Sequence, residues 1–377
     1  MEGTKKEKKA GRILLLTAFL VIICSSGIIW TFTKQYMDTK NYEYRKLAEK
    51  PELSLESYAG FSNQYTAYFN DHLPFRNELI TLNSAIDYYG FDRSSSTHVA
   101  LGGDRFLFFT YKKNGDPIGC YQGTNLYSEE TLKELADNCV RQRDFIESQG
   151  REFVILIIPN KERVYSEYMP ARYGAPAEQY RALQVYSYLK ENTDVRVLYI
   201  YDEIMEAKKK TDLPLWYRND THWNKIGAYI GSRALLKELG IEIPDITEEG
   251  MEITPGKIHT GDLSRSLHLT RQLDSYDPTY TVTGYDEHNM VRTVNEQTNE
   301  PVCNATNADP RRLYVIRDSF GPAMVPYIGS QFSETDIIRY NDYTYDNLAR
   351  LDPDIVVLET IERRVDKLLK FSLLDGF

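Results

Sequence analysis

The longest hydrophobic run in the chain is an uncharged stretch of 20 residues at 13–32, ILLLTAFLVIICSSGIIWTF. As an α-helix this run would be about 30 Å long, which matches the hydrocarbon core of a bilayer. No second run of this length follows in the sequence, which excludes a channel or transporter with several spans. We therefore predict one membrane-spanning helix at 13–32.

Beyond residue 96, short continuous apolar runs alternate with segments of helical spacing. The apolar runs have strand length and many β-branched residues; they are FVILII (153–158), VRVLYI (195–200), RLYVI (312–316), DIIRY (336–340) and DIVVLET (354–360). Helical spacing occurs at 128–150, where Ser128 is a candidate N-cap and Gly150 a stop, and at 177–191, 224–239 and 361–370. This alternation indicates a parallel sheet covered on both faces, and we predict a doubly wound, flavodoxin-like α/β domain. Such domains bind ligands beyond the carboxyl ends of their strands.

The remaining segments complete the predicted organisation. THVALGGDRFLFF (97–109) indicates two short strands around a Gly-Gly-Asp turn. The polar stretch 241–311 is too long for a structureless loop, so we expect it to form a β-rich insertion. The predicted order is a tail at 1–12, the anchor at 13–32, a membrane-proximal stem with helical pieces at 33–95, and the α/β domain at 96–377.

The distribution of charge predicts an orientation. The tail MEGTKKEKKAGR holds five basic and two acidic residues, a charge of +3. The positive-inside rule places this tail in the cytoplasm and everything after residue 32 outside the cytoplasm. Because the whole chain carries −10, the outer part carries −13, which argues against nucleic acid as a partner. A cleaved signal peptide is the alternative, although no small-x-small cleavage site follows the apolar run.

The first candidate for chemistry is RDSFGP (317–322), directly after the apolar run at 312–316. A serine at a sharp strand-to-helix turn presents its hydroxyl above the sheet, and the backbone N–H groups that follow, beginning with Phe320, can face a developing oxyanion. Gly321 permits the tight path and Pro322 suits the first turn of a helix. The alternative is that Ser319 only caps this helix.

The second candidate is RNDTHWN (218–224), before the helix predicted at 224–239. Asp220 can fix the tautomer of His222, whose other ring nitrogen can accept a serine proton. The alternative is an ordinary helix-entry turn in which His222 and Trp223 are packed. Taken together with Ser319, however, these residues supply the three groups that nucleophilic acyl transfer needs.

Weaker candidates surround these three residues. Asn160 and Lys161 follow the apolar run at 153–158 and can offer a hydrogen bond or a charge to an acyl group, or they form a solvated turn. Arg218 can steer an anionic glycan or position Asp220, or it is a plain surface arginine. We place Phe320 and Trp223 with them as candidate contacts to substrate or oxyanion. The six histidines show no zinc-binding spacing and no nucleotide-binding glycine motif is present, so we expect neither a metal nor a cofactor.

Four segments in order resemble the SGNH-hydrolase-like proteins of the AlgX/AlgJ and DHHW type; they are YFNDHLPFR (68–76), VALGGDRFLF (99–108), DTHW (220–223) and DSF (318–320). The resemblance runs from about residue 60 to the C-terminus. Gly261-Asp262-Leu263 is its one match within 241–311. The departures are Arg317, where GDSL-type motifs have glycine, and Arg105 and Phe106, where the family hairpin has Gly-Trp. Asp71, His72 and Arg76 of the first segment are expected to form a structural turn.

The resemblance implies an SGNH-type fold and an O-acetyltransferase that modifies an exported polysaccharide. It implies Ser319 as nucleophile, His222 as general base and Asp220 as the residue that orients it. It also implies a multi-pass membrane-bound O-acyltransferase as the partner that delivers the acyl group. A carbohydrate esterase with the same triad and a non-catalytic scaffold of a glycan-export complex are the alternatives.

Overall fold

The computed structural model describes residues 2–37, 39, 46–54, 58–296 and 298–374. The chain separates into two compact units, Met1–Ser95 with Ser266–Leu269, and Ser96–Arg265 with Thr270–Phe377.

The first unit contains three α-helices among its described residues, α1 (Glu2–Thr33), α2 (Tyr58–Asp71) and α3 (Arg76–Ala85). The apolar run at 13–32 lies within α1, and Ala10–Tyr36 is long and apolar enough to cross a membrane. Length and composition alone support this, and a signal sequence shares both properties, so the anchor stays a prediction. Residues 38, 40–45 and 55–57 of the predicted stem lie outside the described residues.

The second unit is built on a seven-stranded sheet accompanied by two small two-stranded sheets. In chain order the strands are β1 (Val99–Leu101), β2 (Leu107–Phe109), β3 (Glu152–Ile158), β4 (Val197–Tyr199), β5 (Glu252–Ile258), β6 (Pro278–Thr283), β7 (Met290–Val294), β8 (Pro301–Ala305), β9 (Asp309–Arg317), β10 (Phe332–Arg339) and β11 (Ile355–Ile361). The order across the main sheet is β4-β3-β11-β9-β10-β8-β7. The strands from β4 to β10 in this order are parallel, whereas β8 pairs antiparallel with both β10 and β7.

The five apolar runs are the five parallel strands, so the predicted α/β fold is confirmed. The sheet is mixed rather than parallel throughout because the segment 241–311 adds β7 and β8 to it. The strand β8 covers the edge of β10, which would otherwise present unpaired backbone groups, and β7 pairs with β8 as the outermost strand. The strands β5 and β6 of the same segment form a separate antiparallel pair. The insertion is therefore β-rich, as expected, but half of its strands extend the central sheet.

The helices of the second unit are α4 (Pro117–Gln122), α5 (Glu129–Glu147), α6 (Lys161–Val164), α7 (Arg181–Asn192), α8 (Tyr201–Lys210), α9 (Lys225–Glu238), α10 (Asp262–Ser266), α11 (Thr270–Leu273), α12 (Val325–Gly329), α13 (Tyr345–Leu351) and α14 (Lys367–Lys370). The hydroxyl of Ser128 caps α5, as predicted. The helix predicted at 361–370 is instead a 3₁₀ turn at Glu362–Arg364 followed by α14. This difference arises because β11 continues through Ile361 and the next two side chains are buried.

Apolar side chains of the parallel strands alternate between two cores, one on each face of the sheet. On β3, for example, Phe153, Ile155 and Ile157 pack on one face, while Val154, Leu156 and Ile158 pack on the other. The central strands β3, β11 and β9 end side by side at the carboxyl edge of the sheet. Asn160, Glu362 and Asp318 lie just beyond these ends and are all buried, so this edge has a rigid polar layer.

Candidate active site

The turn after β9 is held by the carboxylate of Asp318, which is 9% exposed. Its Oδ1 accepts the backbone N–H of Phe320 at 2.9 Å, and its Oδ2 accepts the N–H of Ile361, the last residue of β11, at 2.7 Å. Because one carboxylate closes the turn and ties it to the neighbouring strand, the side chain of Ser319 is presented at a fixed position.

Ser319, His222 and Asp220 form a continuous hydrogen-bonded chain. Oγ of Ser319 lies 2.8 Å from Nε2 of His222, and Nδ1 of His222 lies 2.6 Å from Oδ1 of Asp220. A carboxylate only accepts, so Nδ1 carries the proton and Nε2 is left to accept from the serine hydroxyl. Ser319 does not cap the helix that follows, because Phe320 holds the N-cap position and makes no side-chain cap bond.

Asp220 is the most highly connected group of the site. Beside Nδ1 of His222, its oxygens accept the N–H of His222 at 2.9 Å, Nε2 of His259 at 2.8 Å and the N–H of Asp262 at 3.1 Å. The ring of His259 is itself stacked on Tyr217, with centroids 3.8 Å apart. His259 was not among the sequence candidates, whereas Asp262 belongs to the Gly-Asp-Leu match within 241–311.

These contacts shift the pKa values of Asp220, His222 and Asp262. Burial opposes ionisation of Asp220, but hydrogen bonds from His222 and His259 outweigh it and hold its pKa well below the ordinary value. Burial likewise opposes protonation of His222, yet the hydrogen bond and charge of Asp220, with the charge of Asp262, raise its pKa above 6.5. Burial and the charge of Asp220 raise the pKa of Asp262. An ionised Asp220 therefore faces an imidazole made unusually basic.

Lys161 fixes the loop that carries Asp220 and His222. The residue is 2% exposed, and Nζ donates to the carbonyl oxygens of Leu107 at 2.7 Å, Arg218 at 2.8 Å and Asp220 at 2.9 Å. Its three donors are thus directed at backbone, and burial lowers its pKa to about 8. This corrects both expectations for Lys161, because it neither forms a solvated turn nor keeps a donor for an acyl group.

Asn160, beside it, is also buried, at 1% exposure. Its Oδ1 accepts the backbone N–H of Arg363 at 3.2 Å, which sets the direction of the amide. Among the described residues its Nδ2 has no hydrogen-bond acceptor. Asn160 is therefore the one of the pair that retains a free donor at the carboxyl edge of the sheet.

Phe320 packs against His222, and Trp223 packs against Phe320. The backbone N–H of Phe320 already donates to Asp318, which corrects the expectation that it faces an oxyanion. The ring of Phe320 lies 4.8 Å from that of His222, and its carbonyl accepts Nε1 of Trp223 at 3.1 Å. Both side chains are at most 1% exposed, so they are part of the interior packing next to His222 and do not present a surface to a sugar.

Arg218 lies at the rim of the site. Its guanidinium is 3.3 Å from Asp104 and 5.4 Å from the ring of Phe106, and its backbone N–H donates to Asp277 at 2.8 Å. A quarter of the side chain, 25%, is exposed. The structure therefore leaves Arg218 accessible, and its backbone, rather than its charge, helps to hold the loop before Asp220.

The departures from the family pattern have local explanations. Arg105 adopts φ 61°, the left-handed region that favours glycine, and its guanidinium packs 3.7 Å above the ring of Tyr276. Arg317 is buried and forms an ion pair with Glu300. The segment 68–76 forms a local turn, in which Nδ1 of His72 bonds the carbonyl of Tyr68 at 2.9 Å and Nε of Arg76 donates to the carbonyl of Asn70 at 3.0 Å.

Three residues have the spacing of a metal site. Asp220, His222 and Asp262 each offer a ligand atom, and these atoms lie within 4.8 Å of one another. Both oxygens of Asp220 and both ring nitrogens of His222 are already hydrogen-bonded. A cation bound there would displace the contacts that join Asp220 to His222.

Three solved structures are similar to this chain. Bacillus cereus PatB1 with a sulfonyl adduct superposes with a TM-score of 0.50 at 16% identity, covering 71% of this chain and 96% of that one. The O-acetyltransferase domain of Pseudomonas putida AlgJ gives a TM-score of 0.45 at 18% identity, covering 73% and 93%. A DHHW family protein from Eubacterium siraeum gives 0.48 at 16% identity, covering 64% and 90%.

Sequence comparison agrees with the fold. A probable alginate O-acetylase AlgJ of Pseudomonas fluorescens is 23% identical over 276 residues, which are 71% of this chain and 63% of that protein. The chain thus spans less than two thirds of that relative. Residues 99–302 match the family model for the SGNH hydrolase-like domain of the acetyltransferase AlgX. The chain therefore belongs to the AlgX-type SGNH hydrolase-like acetyltransferase family.

Proposed function

We propose that this chain is a membrane-anchored, extracytoplasmic O-acyltransferase that moves an acetyl or similar short acyl group onto an exported cell-surface polysaccharide. The observation that carries the proposal is the chain of contacts from Ser319 through His222 to Asp220, at 2.8 and 2.6 Å, in a member of an acetyltransferase family. The sequence similarity to a probable alginate O-acetylase supports a polysaccharide acceptor.

In the first half-reaction Oγ of Ser319 attacks the carbonyl carbon of the donor ester, and its proton passes to Nε2 of His222. The tetrahedral intermediate collapses when the donor oxygen leaves with that proton, and an acyl ester remains on Ser319. In the second half-reaction His222 takes the proton of a glycan hydroxyl, whose oxygen attacks the acyl carbon. Collapse returns the proton to Oγ of Ser319 and releases the acylated glycan.

Both half-reactions place negative charge on the acyl oxygen, which needs donors already in position. The N–H of Ser319 has no protein acceptor among the residues that the structure describes, and neither does Nδ2 of Asn160. We assign these two groups to the oxyanion site, in place of the N–H of Phe320. Each such donor contributes about 10²–10³-fold to the rate in characterised enzymes.

The location of the site creates a need for a partner. The charge pattern of the tail predicts an extracytoplasmic domain, whereas acetyl-CoA is a cytoplasmic acyl donor. We propose a multi-pass membrane-bound O-acyltransferase as the protein that carries the acyl group across and delivers it to Ser319. This partner rests on the family resemblance.

Transfer and hydrolysis are separated by the fate of the acyl group. The full chain in detergent is supplied with a neutral acetyl ester, with and without an uncharged or a uronate polysaccharide, and polymer-bound acetyl is measured beside free acetate. We expect acetyl on a polysaccharide in a reaction that Ser319→Ala does not support. Free acetate alone would establish the esterase instead, and the absence of both products would favour the scaffold.

The acylation rate is expected to depend on pH through His222. Only the neutral imidazole accepts the serine proton, and the pKa of His222 is raised. The value of kcat/KM should therefore fall about tenfold per pH unit below a midpoint that lies above 6.5. Initial rates from pH 5 to 9 in buffers of constant ionic strength measure this midpoint. A rate that stays flat down to pH 5 would contradict His222 as the base.

A further inference from the structure

Three neighbouring strand ends converge at Ser319. The strand β11 lies between β3 and β9 in the sheet. Asn160 follows β3, Ser319 follows β9, and Arg363 lies two residues beyond Ile361, the end of β11. Adjacent strands are about 4.8 Å apart, and the bond from Ile361 to Asp318 ties β11 directly to the nucleophile turn. Arg363 thus occupies the strand end between the serine and the asparagine.

The side chain of Arg363 is buried without a hydrogen-bond or ion-pair partner in the part of the chain that the structure describes. It is 7% exposed, and its guanidinium carbon lies 5.6 Å from the ring centre of Phe109 and 5.7 Å from that of Phe320. Its Nε is buried without an acceptor among the described residues. Burying an unpaired charge costs free energy, so a negative group bound beside Arg363 would be stabilising.

Other buried arginines nearby have hydrogen-bond partners in the protein, although Nε of Arg181, like that of Arg363, has no acceptor among the described residues. Arg163 is 5% exposed, pairs with Glu362, and donates to the carbonyls of Ala177 and Cys120. Arg181 is 8% exposed and donates to the carbonyls of Gly115 and Arg363. The lack of a partner is therefore a property of the Arg363 side chain and not of the buried layer as a whole.

The charge of Arg363 acts on His222. His222 packs on the same Phe320 ring, with centroids 4.8 Å apart, and the positive charge of Arg363 opposes protonation of that imidazole. Burial raises the pKa of the nearby Glu162 against the opposing effect of the Arg363 charge, and Oε1 of Glu162 accepts the N–H of Phe109 and forms no ion pair with Arg363.

We propose that the guanidinium of Arg363, together with Nδ2 of Asn160, stabilises the negative oxygen of the tetrahedral intermediates formed at Ser319. This inference rests on the function proposed above. As the carbonyl carbon bonds to Oγ of Ser319, the C=O electron pair moves onto oxygen, and the guanidinium compensates that charge without giving up a proton. The charge returns to the carbonyl when the intermediate collapses, so Arg363 is unchanged at the end of each half-reaction.

The test compares Arg363→Gln and Arg363→Lys with Arg364→Gln in the full chain. Arg364 is a matched control, since its guanidinium is paired with Asp366 at 3.1 Å and Asn114 at 3.4 Å. The readout is the rate of Ser319 acylation by a neutral acetyl ester, followed as the burst of the released alcohol. We expect a loss of about 10²-fold for Arg363→Gln, a smaller loss for Arg363→Lys, and a change of less than about twofold for Arg364→Gln.

The pH profile provides a second readout that a merely structural role would not move. The charged groups that face His222 are Asp220, Asp262 and Arg363, with His259 beyond Asp220. Removing the positive charge of Arg363 raises the pKa of His222, so the acid limb of Arg363→Gln should shift to higher pH. The acid limb of Arg364→Gln should stay in place.

The outcomes separate this inference from the proposed function. If folded Arg363→Gln acylates at the wild-type rate, the inference is wrong while the acyl-enzyme mechanism stands. Slower transfer to a polysaccharide with unchanged acylation would assign Arg363 to the acceptor and would also overturn it. If the wild-type chain forms no acyl-enzyme, the proposed function fails and the inference falls with it. If Arg363→Gln loses its thermal transition, the acylation rate of Arg363→Lys, which keeps the charge, is the test. A wild-type rate for this variant would overturn the inference.

Discussion

Replacing Ser319 by alanine is expected to reduce the rate of acyl transfer by about 10⁶-fold, the loss seen when a triad nucleophile is removed. The hydroxyl is the atom that becomes acylated, and its bond to His222 is the start of the proton path. The fold should be unaffected, because the turn is held by the Asp318 carboxylate and not by the serine side chain. Initial rates and thermal unfolding of the two proteins measure both expectations.

Ser330→Ala is the matched control for this substitution. Ser330 lies in the same segment after β9 and is 2% exposed, but its hydroxyl donates to the carbonyl of Tyr327 at 3.2 Å and accepts Nε2 of Gln331 at 3.1 Å. Its loss should lower stability slightly, by about 1 kcal/mol, and leave the rate within about twofold. Equal rates for Ser319→Ala and the wild type would remove the serine mechanism.

Replacing Asp220 by asparagine is expected to lower the acylation rate by about 10⁴-fold, although the side chain keeps its size. The groups hydrogen-bonded to Asp220 are all donors, namely the ring and backbone N–H of His222, the ring of His259 and the N–H of Asp262. An amide nitrogen cannot accept, so it faces donors on either side, the two N–H groups of His222 or the pair formed by His259 and the N–H of Asp262. Where it faces His222, Nδ1 must become the acceptor, and the tautomer that leaves Nε2 free to accept the serine proton is lost.

Asp262→Asn supplies the comparison for this loss. The oxygens of Asp262 accept the N–H of Thr221 at 2.8 Å and its hydroxyl at 2.6 Å, and the nearest one lies 3.8 Å from Nδ1 of His222. This charge acts on the imidazole without fixing its tautomer, so we expect a loss of less than about tenfold. If Asp262→Asn proved the more damaging of the two, Asp262 would be the orienting residue instead.

The local sequence was enough to single out the candidate residues that lie at the ends of strands and helices. Ser319 follows a continuous apolar strand and precedes Gly-Pro, a pattern that predicts a strand-to-helix turn in any α/β sheet. Asp220 and His222 lie before a helix whose N-cap is Asn224. Both signals depend on neighbours in the chain, and the structure brings these residues together at 2.8 and 2.6 Å.

The partners that come from distant segments were not predictable in this way. His259 reaches Asp220 from 39 residues away, and Asn160 meets the backbone of Arg363 across 203 residues. Lys161 resembles a solvated lysine in sequence, yet its ammonium group is surrounded by three carbonyls, one from β2 and two from the segment before α9. Burial and pairing of such side chains follow from which strand ends are adjacent, and that order is a property of the whole sheet.

The two strands beyond β10, β8 and β7, could not be located from the sequence for a related reason. The strands β7 (MVRTV) and β8 (PVCNA) have five residues each, and Val291 and Val294 of β7 are exposed. Apolar and polar residues do not alternate regularly in either sequence, so the hydrophobic pattern does not separate them from a loop. The place of β8 is determined by the backbone groups of β10, which need a partner along that edge, and β7 pairs in turn with β8.

The most direct test of the central claim is the intact mass of the full chain in detergent after exposure to an acetyl ester, followed by peptide mapping. The wild type is compared with Ser319→Ala under the same conditions. We expect one acetyl group on the wild type, located on Ser319 and lost again when an acceptor polysaccharide is added, and none on Ser319→Ala. An acetyl group at another residue, or equal labelling of both proteins, would contradict an acyl-enzyme at Ser319.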